Sequence, residues 1–218
     1  MMTPNSPHPY RETSSAALAR LDIHHGVARL LLDADPELPT LYRLASDEAR
    51  LEVETDGLAV HVHSRISWTE WLEEVLGGRD GGARITLDGA RPWRIAIRGG
   101  ASEVTVDLAR LARLDALEIR GGASEVAVAL PRPTGTVALA ISGGASELAL
   151  RRPRGVPLRL SVRGGVSDLT LDESHFEAIG GHTILHTEGW AAATDRYELS
   201  ISGGASGLAV TPAEGEAR

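Results

Sequence analysis

The sequence predicts an all-β chain: a single-stranded parallel β-solenoid, or β-helix, of about 22-residue turns, with one short amphipathic helix. Three observations point there. A ten-residue phrase occurs five times, as Ile97–Val106, Ile119–Val128, Ile141–Leu150, Val162–Leu171 and Ile201–Val210. Its leading glycines, Gly99, Gly121, Gly143, Gly164 and Gly203, are 22, 22, 21 and 39 residues apart. A fixed period in this range marks stacked units. Within a copy, the apolar set lies on one parity before the glycines (Ile95, Ile97) and on the other after them (Val104, Val106). That pattern is two half-buried strands joined where one extra residue enters. Finally, the repeat is short for a propeller blade and lacks the Asn/Cys ladder of leucine-rich repeats.

Taken in order, residues 1–17 are rich in proline and small polar residues and read as a disordered tail. Residues 18–90 form an N-terminal β segment, either degenerate turns or a cap. Within it, Leu21–Leu32 reads as two strands meeting at Gly26, and Arg50–His63 as a hairpin about Asp56-Gly57. Residues 67–77 change period: Trp68, Trp71, Leu72, Val75 and Leu76 make a helical stripe, with Ser67 and Glu70 as a capping box and Gly77 as the stop. Such a helix would lie across an open edge or the flank of the first turns.

Residues 91–211 are the repeat region. Its far corners are loop chemistry at Pro131–Thr136 and Pro153–Pro157, while Ala109–Asp115 reads as a helical turn. Ser174–Tyr197 is an insertion or a poorly matched turn, with Ile179-Gly-Gly as a faint echo of the motif. Residues 212–218 form a polar tail expected to fray.

The chain has 218 residues, a formal net charge of −8, no cysteine and no lysine. No disulfide framework or thiolate metal site is available. The acidic balance argues against nucleic acid as a partner. No basic-apolar leader and no apolar run near 18 residues is visible, so a cytoplasmic location without a membrane span is expected, with export by another route left open.

Stacking would turn equivalent positions into rows. The corner positions are Gly99, Gly100 and Ser102; Gly121, Gly122 and Ser124; Gly143, Gly144 and Ser146; Gly164, Gly165 and Ser167; Gly203, Gly204 and Ser206. The serines would bond to one another or to corner backbone; a nucleophilic serine needs a histidine, and the copies hold none. Glu103, Glu125, Glu147 and Asp168 would make an acidic row, with Arg98, Arg120 and Arg163 beside it to offset it across the corner. A calcium row is the sharper reading of those acids, but the Gly-Gly calcium repeats recur about every nine residues, which this chain does not. His61 and His63 share a strand face that suits a metal, as do His24-His25 and His182/His186 in outline, without a third ligand fixed by spacing.

The strand, the Gly-Gly-Ala-Ser corner and the Val-x-Val that follows resemble a family: the bacterial putative-adhesin β-solenoid domains, of the head-GIN-type auto-transporter adhesin kind. The resemblance spans about residues 20–211 and is best over 93–171 and 197–210. It implies a β-helix-like fold without an assigned biochemical role, and no site residues carry over.

The function expected is that of a non-enzymatic scaffold or adhesin-like interaction protein, without cofactors, presenting its rows to a protein partner or to itself. A bactofilin-like polymer is one version. Two alternatives stand beside it: a polysaccharide-binding or polysaccharide-active β-helix protein, and a partner-binding module using the Trp68/Trp71 helix.

Overall fold

The computed structural model describes residues 17–24, 27–46, 51–64, 82–99 and 101–213. Among them every regular element is a strand, so the all-β expectation holds. The expected helix over 67–77 falls outside the described residues, as do residues 1–16 and 214–218 of the expected tails.

The repeats give the plainest view of how sequence becomes structure. β7 (Pro92–Arg98) and β8 (Ala101–Asp107) flank the first diglycine, β9 (Arg113–Arg120) and β10 (Ala123–Ala129) the second, and β11 (Thr136–Ser142) and β12 (Ala145–Arg152) the third. Like pairs with like, in parallel. Ile97 lies beside Ile119, and Ile119 beside Ile141; Val104 lies beside Val126, and Val126 beside Leu148. Each pair of strands is one layer with two arms, and the alternating apolar residues of both arms fill one continuous core. The far end of that core is closed by Leu108, Leu111, Leu114, Leu130 and Val156, all buried.

Ala109–Asp115 is not a helical turn. The Leu111 N–H donates to Leu108 O at 2.9 Å and β9 has already begun at Arg113. A tight turn brings Leu111 and Leu114 into the core.

The sheet has fifteen strands and is mixed rather than parallel throughout. β13 (Leu158–Leu171) and β14 (Ser174–His186) form an antiparallel hairpin, and β15 (Arg196–Pro212) runs parallel to β11, β12 and β13. The layers therefore do not stack in chain order. The fifth copy of the motif, on β15, lies between the third, on β11–β12, and the fourth, on β13. Ser174–Tyr197 is correspondingly no simple insertion. Most of it is β14, and its echo is real but reversed, with Gly180 and Gly181 opposite Gly165 and Gly164.

The N-terminal end repeats the device. β1 (Ala19–His24) and β2 (Val27–Asp35) pair with β7 and β8 on one side and with β5 (Ala59–Ser64) and β6 (Ala83–Asp88) on the other. β4 (Leu51–Asp56) and β3 (Tyr42–Ser46) then close that end, antiparallel to β5 and β6. The β4–β5 hairpin turns through Gly57 and Leu58, with Gly57 at φ 58°. Both ends are thus finished by reversed strands. At both ends the chain's outermost segment, β1–β2 or β15, sits inside the stack. The expected frayed tail begins later than residue 212, because Pro212 still belongs to β15 and the Ala213 N–H donates to Arg152 O at 2.7 Å.

Two large side chains fix the layers. Trp93 is fully buried and its Nε1–H donates to Asp88 O at 2.9 Å. Tyr197 is fully buried with its hydroxyl donating to Pro131 O at 2.5 Å, and burial pushes its phenol well above the ordinary range.

Candidate functional site: corners, surface rows and a histidine patch

The corner is built by a difference between its two glycines. The leading ones, Gly99, Gly121, Gly143, Gly203 and Gly164, have φ of 117°, 126°, 112°, 119° and 132°, a region that side chains rarely enter. Their N–H groups tie layers together: Gly99 N to Arg120 O at 2.9 Å, Gly121 N to Ser142 O at 2.9 Å, and Gly143 N to Ser202 O at 3.1 Å. A Cβ on Gly203 would lie 2.5 Å from Gly143 O, and one on Gly143 or Gly164 would lie closer still to the carbonyl of its neighbour. The second glycines differ. Gly122, Gly144, Gly165 and Gly204 face open space, and Gly100 is outside the described residues.

The corner serines donate to backbone. Ser146 Oγ donates to Ser124 O at 2.6 Å and Ser206 Oγ to Ser146 O at 3.0 Å. Ser167 follows, in register with Ser206, and Ser102 holds the same position on β8. Small residues of these corners line an open groove of about 830 Å³.

The acidic row runs on the outer face of the second arm. Glu103, Glu125 and Glu147 are consecutive partners on β8, β10 and β12. Asp168 is one layer further off, because Gly207 of β15 intervenes. Asp168 and Gly207 have φ of 57° and 67°, which explains the glycine in the last copy. All four acids are exposed. Arg29 Nε pairs with Glu103 at 3.1 Å and His175 Nδ1 lies 3.7 Å from Asp168 at the opposite end.

The arginine row does not offset the acids. Arg98 is 3.4 Å from Asp22, and Arg120 pairs with Glu118 of its own strand. Arg98, Arg120 and Arg163 sit before the corner and the acids after it, so the rows lie on different arms. Trp68 and Trp71 fall outside the described residues.

On the outer face of the first arm, parallel register sets His24 beside His63 and Asp22 beside His61. The His24 and His63 rings are 4.8 Å apart and stacked; His61 lies 5.9 Å from His24 and 6.5 Å from His63. Asp22 is buried between His61, 3.9 Å away, and Arg98. Burial lowers the His24 pKa, with His63 and Arg98 adding to the effect. The spacing His61-x-His63 signals half of this patch. The other half depends on β1 docking against β5, which no local pattern encodes. His182 and His186 do not form a second patch: His186 instead stacks 6.1 Å from Trp190, which Arg159 and Arg196 also cover. Sequence reasoning also missed the outer edge of β14, which has β13 as its one partner among the described strands.

A crystal structure of a "putative cell adhesion protein" from Clostridium sporogenes ATCC 15579 matches this fold with a TM-score of 0.66, covering 91% of this chain and 94% of that one at 17% identity. At that identity the likeness is one of fold. No family model matches the chain, and no curated protein matches it. No helix among the described residues is long and apolar enough to cross a membrane.

Proposed function

We propose that this chain is a non-enzymatic, adhesin-like β-solenoid of the kind its corner motif resembles, and that it acts by binding, first of all to a second copy of itself. The observation that carries this reading is β14. It is 13 residues long and, among the described strands, paired on one side alone. Such an edge offers a row of backbone donors and acceptors to another strand. Natural edges are commonly blunted by proline or lysine; β14 has neither, and Glu177 is its one formal charge. It also carries Ile184 at 44% exposure and the half-buried Phe176 and Leu185. Antiparallel pairing with another β14 centred on Gly180-Gly181 sets Phe176 opposite Leu185 and His175 opposite His186. The shared fold with a protein named for cell adhesion agrees with a binding role.

Against catalysis stands the use already made of Ser146 and Ser206, whose hydroxyls donate to backbone carbonyls. Light scattering on the eluting protein tests the proposal. A dimer or longer assembly that Ile184→Glu, which would face Glu177 of the second copy, converts to monomer is expected; a monomer at all concentrations would sink it.

A second reading rests on the groove of about 700 Å³ beside Glu103, Glu125, Glu147 and Asp168, whose carboxylates suit the hydroxyls of a polysaccharide. Glycan binding abolished by Glu125→Gln with Glu147→Gln would favour it.

A further inference from the structure

We propose that His24, His61 and His63 form a binding site for a transition-metal ion of the zinc type, with Asp22 positioning His61. Imidazole nitrogens are the preferred ligands of zinc, nickel and copper. Zinc held by three histidines keeps Zn–N near 2.0–2.1 Å in tetrahedral geometry, which places ring centres about 5 Å apart. The three rings here have centres 4.8, 5.9 and 6.5 Å apart.

The backbone supplies this spacing independently of the rotamers. His61 and His63 are two residues apart on β5 and share its outer face. His24 stands directly opposite His63 on β1, the neighbouring strand, at a strand separation of about 4.8 Å. Three imidazoles are therefore rooted at the corners of a small triangle on a rigid sheet, the kind of foundation that gives a metal site its geometry.

The His24 and His63 rings lie flat against one another, and among the described residues no three ligating groups converge. Binding requires rotation about the side-chain torsions. His61 is exposed enough, at 34%, to make that turn. Asp22 provides the outer support. Metal-bound histidines almost always donate their other N–H to a carboxylate, carbonyl or water. Asp22 Oδ2 lies 3.9 Å from His61 Nδ1, while its other oxygen is held by Arg98. That leaves Nε2 of His61 to face the metal. The fourth position would be left to water.

Untagged full-length protein titrated with Co²⁺ and Zn²⁺ tests the site, by visible absorption and by calorimetry. One equivalent of Co²⁺ should give the intense visible bands of a four-coordinate ion, displaced by Zn²⁺. His24→Gln and His63→Gln should each abolish those bands, and Asp22→Asn should weaken affinity by about 10–100-fold. The paired change His182→Gln with His186→Gln should leave them intact. Circular dichroism confirms that each variant is folded. Absence of any four-coordinate spectrum, or a spectrum unchanged in folded His24→Gln and His63→Gln proteins, overturns the assignment.

Discussion

The middle layers and the C-terminal strands use one corner motif in two ways. In β7–β8, β9–β10 and β11–β12 the diglycine interrupts the strand, and chain order is stacking order. In β13 and β15 the strand runs through the diglycine unbroken, the left-handed Asp168 and Gly207 take up the change of parity, and the layers are interleaved. The motif therefore specifies the shape of a layer. It does not specify which layer lies next to which.

Three experiments press on this comparison. The largest effect is expected from ending the chain at Asp195. In a stack built in chain order, losing the last turn removes an edge. Here it removes the shared neighbour of β11–β12 and β13, exposing Val162, Leu160, Leu139 and Leu148, each buried now. At about 1.5–3 kcal/mol for each fully buried side chain of this kind, the loss is comparable to the whole stability of an ordinary domain. The shortened protein should show no cooperative thermal transition by circular dichroism.

The next effect separates the two glycines of one corner. Gly143→Ala forces a Cβ against Gly121 at φ 112° and should cost about 3 kcal/mol or more in urea unfolding. Gly144→Ala, facing open space, should stay within about 0.5 kcal/mol. Equal effects would mean that the layers are not in the contact described.

The smallest effect is electrostatic and sharpens the contrast between N-terminal and middle layers. The folded pKa of His24 lies below its ordinary 6.5, so the unfolded chain binds that proton first as pH falls. Metal-free protein should therefore lose stability as pH drops below about 6.5. His24→Gln should flatten that slope in a series of melts across pH, and a slope of opposite sign would contradict the burial argument.

Much of this was legible. The parity flip from Ile97 to Val104 marked the strand–corner–strand layer, and the period of Gly99, Gly121 and Gly143 gave the register of the middle layers, because both are local or strictly repeated signals. Interleaving was not legible. The connector before β13, residues 153–157, is no longer than its counterpart at 131–135, so nothing in its length announces a skipped layer. The reversed direction of β14 was hidden for the same reason: Gly180-Gly181 copies the motif, and strand direction depends on the Asp172-Glu173 turn, where Asp172 adopts φ 53°. Chain order sets Asp168 next to Glu147 in the acidic row, whereas spatial order puts Gly207 of β15 between them. The histidine patch needed β1 beside β5, a contact across about 40 residues of chain that no periodicity reports.

The inner placement of the final strand also bears on how the protein is made. Residues 196–212 are made after the strands on either side of them, yet they must enter between those two layers. Until then the Gly143 and Gly164 layers have no common neighbour and the core stays open at that level. Closure of the core accordingly waits on β15, with the slow kinetics that distant strand pairing imposes.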